Sequence, residues 1–494
     1  MRNRIVVLLC CVLGVSQATI TFERTYGFGG NNYGYHLEQT SDGGYILTFE
    51  GQDPAHQLVG YLLKTDSLGN QEWVNYYYSP LHRGASPNGL CVTLDKDYVI
   101  AGSMGGTGVC DPWAVKADSV GEMLWTYRHD GPNYDYFYSV APTADSGCIL
   151  TGKLSEGGSY GQGLLKLTRD GRREWLKFYL LPDQETSGGW VWQTGDHGYY
   201  CVGMTRVDTS PSLLNCDWRV VRTDSLGETL WTTTYRPDIP GYIGNNNVSA
   251  CPTTDGGCVL SGCDAFGHGY MSYVAKLDSL GHGLWARTVF RDTVPGPPAR
   301  EVYCAQETPD RGFIAVGCQP GGQHARVLVA RLDSLCDTLW TRRYDGLDSA
   351  VHDNAYWVVN TRDGGYAISG IADERPAYLI KTDSMGVVYV GVSERENNLL
   401  TDDVLTAEPN PFRRLVNIRL GPGTGTVFLN GKPCQSPALT VYDASGRLVQ
   451  RLPSVRNGTW DGRDRNGRLL PAGAYFIEAR AGSKRRVVQV LVTR

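Results

Sequence analysis

The chain has 494 residues, of which 61 are glycine, 20% are charged and 11% are aromatic. That composition belongs to a large folded protein and excludes a disordered or collagen-like chain. The formal net charge of -5 excludes the strongly basic footprint of a nucleic-acid binder.

The first 18 residues, MRNRIVVLLCCVLGVSQA, hold two arginines, an apolar run over residues 5–15, and the small residues Ser16 and Ala18 at cleavage-site spacing. They read as a secretory signal peptide over 1–18, too short for a membrane span. No later stretch is apolar enough to cross a bilayer, so no transmembrane segment is expected. Twelve of the 14 cysteines follow residue 18. In an exported chain an even number permits disulfides, and Cys251 and Cys258, flanking one turn, form the best candidate pair. The competing reading is that the cysteines are small buried hydrophobes, since Cys148 and Cys258 stand where other repeats have Tyr45 and Tyr366. With no Cys-x-x-Cys pair and no His/Cys cluster, no metal site is expected.

From residue 40 onward two phrases alternate. The first is Thr-x-Asp-x-Gly-aromatic, as in TSDGGY (40–45) and TPDRGF (308–313). Thr and Asp occur in all seven copies, although the second reads TLDKDY (93–98). The second phrase is Lys/Arg-x-Asp-Ser-x-Gly, as in KTDSLG. Its basic residue falls at Lys64, Lys116, Lys166, Arg222, Lys276, Arg331 and Lys381, giving spacings of 52, 50, 56, 54, 55 and 50. A fixed period of this size marks a repeat architecture. Each unit alternates apolar and polar residues around Asp-Gly turns, the pattern of short antiparallel strands. Four strands per unit and seven units predict an all-β, seven-bladed β-propeller over residues 19–393.

The seventh unit has its turn at 383–386 but lacks the tryptophan strand that follows it elsewhere. The sequence Phe22-Glu-Arg-Thr-Tyr26 aligns with Trp340-Thr-Arg-Arg-Tyr344. The first strand is therefore expected to complete the last blade, removing an exposed sheet edge. Trp73, Trp125, Trp175, Trp231, Trp285 and Trp340 recur at one register, four residues past the turn. They are read as interblade packing rather than a ligand ladder. Asp42 is read as a structural residue of the repeat, and the basic residue and Asp of each Lys/Arg-x-Asp phrase, two apart on one face of a strand, are read as forming charge pairs between or within blades.

Propeller ligands usually meet the unlike loops or the central channel. The segments before each Thr-x-Asp phrase differ most, and they make Tyr35, Tyr136, Trp190 and Trp357 candidate stacking platforms for a glycan or peptide. An alternative is that these aromatics only start the inner strands. The phrase Asp-Ser-x-Gly-x-x-x-Trp resembles the docking motif of pyrroloquinoline-quinone propellers, whose vicinal cysteine pair would here be Cys10–Cys11, inside the leader. It also resembles the Asp box of sialidases, but with wider spacing and no evident arginine cluster. No HExxH, Gly-x-Ser-x-Gly or P-loop occurs. No catalytic residue and no cofactor is assigned. A binder should bring aromatic and polar groups together on one face. A glycan-cleaving enzyme should instead place two or three acidic or His groups within about 10 Å.

After Ser393 the repeat stops. Residues 394–408 read as a linker and 409–494 as a small Ig-like β-sandwich with Asn-Gly and Asp-Gly turns. Residues 394–494 carry 16 Lys+Arg against 9 Asp+Glu, a surplus of seven that leaves the preceding residues at −12. The quoted segments Pro409-Asn-Pro-Phe412, Val441-Tyr-Asp-Ala-Ser-Gly-Arg-Leu-Val449, Trp460-Asp-Gly-Arg-Asp-Arg-Asn-Gly467 and Pro471-Ala-Gly-Ala-Tyr-Phe476 resemble the C-terminal sorting domain of the bacterial type IX secretion system. The Trp-Asp-Gly part is also similar to the Ig-like domain of flagellar hook-cap proteins. The sorting-domain resemblance implies export by type IX machinery to the medium or the bacterial cell surface. Asp461, Asp464 and Asn466 are either a loose calcium loop or a hydrogen-bonded turn. The expectation is a secreted or cell-surface propeller protein that binds or scaffolds an extracellular glycan or protein without catalysis. The alternative is an extracellular propeller enzyme acting on a polymer such as a glycan.

Overall fold

The computed structural model describes residues 20–492 apart from 29–33, 56, 79–83, 107–108, 183, 207–215, 239–247, 264–271, 291–300, 322–323, 345–352, 373–375, 389–404, 409–415, 421–427, 430–431, 434–437, 444–446, 453–456 and 482–483. The signal-like leader 1–18, the Pro409–Phe412 segment and most of the linker lie outside the described residues. The chain divides into a compact unit, Thr21–Val388, and a second unit that holds the strands from Leu405 onward.

The first unit is a seven-bladed propeller. Strand β1 (Phe22–Tyr26) comes first. The first blade then runs outward as β2 (Gly34–Gln39), β3 (Tyr45–Gln52), β4 (Leu58–Thr65) and β5 (Gln71–Tyr77), all antiparallel neighbours. Five more four-stranded sheets repeat this order over 85–128, 136–178, 186–235, 249–289 and 301–344. The seventh blade supplies three strands over 354–382, and β1 adds the fourth. Phe22 pairs with Lys381 and Tyr26 with Ala377. The ring is thus closed by hydrogen bonds between the two ends of the unit.

The recurring phrases explain how the blades cohere. In every blade the basic residue of the third strand reaches back to the Asp-rich turn between the first two strands. The pairs are Lys64–Asp42, Lys116–Asp97, Lys166–Asp145, Arg222–Asp196, Lys276–Asp255, Arg331–Asp310 and Lys381–Asp363, at 2.5–3.0 Å. The cations are buried, and those outside the second blade also donate to backbone carbonyls, as Lys64 does to Thr65 O at 2.9 Å. A buried charge is tolerable only when paired and hydrogen-bonded, and these are both. The second blade departs from the rule. Its lysine sits closer to Asp97 (3.0 Å), which replaces the usual glycine, than to Asp95 (3.8 Å).

Between blades the packing is aromatic on glycine. A side chain at Gly121 would come within 2.8 Å of Trp73 Cζ3, at Gly227 within 2.9 Å of Trp175 Cη2, and at Gly281 within 2.6 Å of Trp231 Cζ3. These turn glycines have φ of 78–86°, so they provide both the left-handed turn and the seat for the neighbouring indole. At the closure, Phe22 takes the place of the tryptophan and sits on Gly69. Tyr26 donates its hydroxyl to Gly69 O at 2.6 Å, as Tyr77, Tyr179 and Tyr344 do to Gly121, Gly227 and Gly386. The six repeated tryptophans are therefore interblade contacts.

Cys148, Cys251, Cys258 and Cys304 are free thiols. Cys251 lies opposite Val259 and Cys258 opposite Pro252, one step apart in register. Their side chains leave opposite faces of the sheet, so the Cys251–Cys258 disulfide does not form. Cys148 and Cys258 are buried among apolar side chains, and desolvation pushes each thiol up to about 12.

The C-terminal unit is a small sandwich. Strands Leu405–Glu408, Val416–Leu420 and Asn457–Trp460 form one sheet, and Leu448–Leu452, Ala438–Asp443, Gly473–Ala481 and Lys484–Val492 the other. Residues 405–408, read from the sequence as the end of the linker, are thus the first strand of this unit. Trp460, Tyr475, Val441, Ile477 and Val490 share its core. Trp460 donates its indole N–H to Arg463 O at 2.9 Å. Asp464 accepts the amides of Asn466 and Arg468, at 2.8 and 2.9 Å, so this carboxylate is spent on a turn.

Candidate functional site: the axial cavity

The innermost strand of each blade runs along the propeller axis, and alternate residues face it. Counting back from the Thr of each Thr-x-Asp phrase gives two such columns. Four residues back stand His36, Gly89, Ser139, Trp190, Ser249, Cys304 and Trp357. Two residues back stand Glu38, Cys91, Ala141, Trp192, Cys251, Gln306 and Val359. The inner strands carry a β-bulge just before the first column, at Gly34/His36, Pro87/Gly89, Phe137/Ser139, Gly188/Trp190, Val302/Cys304 and Ala355/Trp357. A bulge re-aims the side chains that follow it. Opposite it the second strand carries glycine in five blades. A side chain at Gly152 would overlap Tyr136 O, and one at Gly370 would overlap Asn354 O.

These columns enclose a cavity of about 270 Å³ to which all seven blades contribute. It extends from the first column toward the Thr-x-Asp turns. Its inner end is an aromatic layer. Trp190 of the fourth blade stacks across the axis on Trp357 of the seventh, with ring centroids 4.4 Å apart and planes at 15°. His36 of the first blade lies 4.4 Å from Trp357 and 5.8 Å from Trp190. Three large rings fit in one layer because Gly89, Ser139, Ser249 and Cys304 fill the other places. A Cβ at Gly89 would already stand 3.0 Å from Ser139 Cα.

The polar groups of the layer are only partly satisfied. Trp190 donates to Val248 O at 2.7 Å. The Leu90 amide donates to His36 Nδ1 at 3.3 Å, which leaves the ring proton of a neutral imidazole on Nε2. His36 Nε2 and Trp357 Nε1 are buried and find no hydrogen-bond partner among the described residues. The nearest carboxylate oxygen to His36 Nε2, Glu38 Oε1, is 3.7 Å away, beyond hydrogen-bond length. Glu38, Trp192, Gln306 and Glu307 line the rest of the cavity. Glu307 Oε2 accepts the Thr254 amide of the preceding blade at 2.7 Å.

The four sequence candidates therefore separate. Trp190 and Trp357 meet in the axis, facing each other. Tyr136 lies away from the cavity, at the start of its inner strand, with its ring stacked on Tyr138 at 6.0 Å. Tyr35 is the bulged residue of β2, and its side chain lies outside the described residues. His36, Glu38 and Gln306 were missed by motif reasoning. The signal for them is positional: they occupy the two columns that face the axis, and a blade-by-blade alignment on the Thr exposes them.

No protein-family model matches the chain, and no curated protein sequence matches it. Solved structures do. A polysaccharide lyase, the PL25 ulvan lyase bound to -[GlcA(1-4)Rha3S]-, aligns with a TM-score of 0.51 and 10% identity over 74% of this chain and 97% of that one. The structure described as PorZ, an essential surface component of the type IX secretion system of Porphyromonas gingivalis, aligns with a TM-score of 0.34 and 12% identity over 92% of this chain and 69% of that one. At such identities the lyase likeness shows the propeller fold alone, and the PorZ likeness carries no argument about role. Among the described residues no helix is long and apolar enough to cross a membrane, which says nothing of β-barrels.

Proposed function

We propose that this chain is an exported binding protein whose propeller, 19–393, receives the end of an uncharged glycan in its axial cavity, and that the segment 409–494 is its type IX export address. The signal-like leader and the Trp460-Asp-Gly and Pro471-Ala-Gly-Ala-Tyr475 segments support the route to the medium or the cell surface. The cavity supports the ligand class. The observation that carries the reading is the pair of buried, unpartnered donors, His36 Nε2 and Trp357 Nε1, on the same cavity as the acceptor Glu38 and the amide Gln306. A buried donor without a partner costs about 1–3 kcal/mol, which a ligand oxygen recovers. Sugar hydroxyls accept from such donors and donate to carboxylates, and indole walls suit the apolar faces of a sugar ring.

The test is a neutral-oligosaccharide screen followed by titration of the purified chain, read by tryptophan fluorescence. Glu38→Gln is expected to weaken the hit by about tenfold, the loss of roughly 1.4 kcal/mol from one charge-assisted bond. Equal affinity in wild type and Glu38→Gln, or a silent screen, refutes the reading.

One observation favours a second reading. The His36 Nε2–H donor and the Glu38 carboxylate, 3.7 Å apart, place a hydrogen-bond donor and a carboxylate on one cavity. An enzyme using them would generate new chain ends from a polysaccharide. A reducing-end assay that rises with time, and falls in both His36→Ala and Glu38→Gln, supports catalysis. Binding without new ends supports the first reading.

A further inference from the structure

Cys251 and Cys304 sit on the inner strands of neighbouring blades. The first is on Ser249–Pro252 of the fifth blade, the second on Glu301–Glu307 of the sixth, and these strands pack on one another. Both side chains are buried in one apolar cluster, at 6% and 0% exposure. Their thiols are within hydrogen-bonding reach of each other. Cys251 also lines the axial cavity. The sequence pairs Cys251 more naturally with Cys258, seven residues on. The bend of the chain from blade to blade turns Cys251 toward Cys304 instead.

We propose that Cys251 and Cys304 are an interblade disulfide site, closed when the protein meets a low-molecular-weight disulfide donor. The neighbouring Cys304 thiol and burial hold the Cys251 thiol well above its ordinary range, so the reaction belongs to alkaline solution, where the Cys251 thiolate, reached through the cavity, attacks one sulfur of the donor R–S–S–R. The donor S–S bond breaks and one R–S⁻ leaves, to be protonated. The Cys304 thiolate then attacks the Cys251 sulfur of the mixed disulfide, and the second R–S⁻ leaves and is protonated. The protein loses two protons and two electrons, and the donor is reduced to two thiols. The bond pins the fifth and sixth blades beside the cavity, where Pro252 and Gln306 line its wall. Burial of both sulfurs in a rigid sheet favours the second step over escape of the mixed disulfide.

The experiment uses the full chain, reduced and then exposed to hydroxyethyl disulfide in alkaline solution that keeps it folded, alkylated under denaturing conditions and mapped by peptide mass spectrometry. The expected result is the loss of two alkylatable thiols and one cross-linked peptide pair joining Cys251 to Cys304. Cys258→Ser should leave that cross-link intact. Cys304→Val should stop the reaction at a mixed disulfide on Cys251, adding the mass of one donor half. A Cys251–Cys258 cross-link, two-thiol loss unchanged in Cys304→Val, or retention of both thiols in the folded wild type overturns the proposal. Should Cys304→Val fail to fold, Cys251→Ser serves in its place, and persistence of the Cys304 cross-link to any other cysteine counts against it.

Discussion

Phe22→Ala is the sharpest test of how the ring is held shut. Phe22 is 6% exposed, pairs with Lys381 in the closing strand, packs edge-on against Tyr45 at 5.9 Å and covers Gly69 of the first blade. Truncating a buried Phe costs about 3–5 kcal/mol through lost transfer energy and the cavity left behind. No peptide bond joins β1 directly to the strand it completes. A five-residue ladder, these side chains and a few polar contacts, such as Tyr378 donating to Glu23 and Arg362 to Gln39 and Ser41, hold the joint. The expected loss is therefore about 3–4 kcal/mol, a large share of the roughly 5–15 kcal/mol that holds a typical folded domain. Tyr26→Phe removes only the hydroxyl bond to Gly69 O and should cost about 1 kcal/mol. The two changes share Gly69, so the double variant should fall short of the sum. Urea unfolding followed by tryptophan fluorescence measures all three. A Phe22→Ala loss below about 1 kcal/mol would show that β1 is not what closes the ring.

Lys381→Met should cost about 2–4 kcal/mol in the same assay, because it strands Asp363 and the Thr382 carbonyl beside an apolar group. Lys381→Arg should cost under about 1 kcal/mol, since Arg222 and Arg331 already fill the equivalent place. Gly152→Ala drives a methyl group into Tyr136 O at the bulge and should cost about 2–3 kcal/mol, measured as a fall in Tm. Acid should loosen the blades. Burial raises the carboxyl pKa of Asp42 and Asp255, but the hydrogen bonds from Lys64, Lys276, Thr40 and Thr253 outweigh it and bring both to about 2 from 3.8. A depressed carboxylate contributes its stability above the unfolded pKa and loses it as pH falls through the folded one. Stability should therefore decline between pH 4 and 2, and Lys64→Met should flatten that decline. A pH-independent midpoint across this window would refute the pairing argument.

The repeat phrases made the propeller legible because each residue in them serves a local need that every blade shares. Thr and Asp build the turn, the basic residue neutralises it, and glycine seats the preceding blade's indole. Closure by β1 was also legible, since the missing seventh tryptophan strand and the Phe22–Tyr26 segment match. Within the C-terminal unit, the alternating strands around Trp460 and Tyr475 announced a sandwich, but the strand at 405–408 did not stand out from the polar stretch before it.

The site was less legible. Trp190 and Trp357 were visible as aromatics, yet 167 residues of sequence separate them. Only closure of the ring brings the fourth and seventh blades face to face. His36 and Glu38 belong to no motif and gain meaning from the column they occupy. Cys251 changed partner for the same reason: sequence proximity favoured Cys258, and strand register placed it on the wrong face. Local chemistry repeats along a chain and can be read there. An axis shared by seven inner strands exists only after the ends have met, so what stands on it was decided by the tertiary structure.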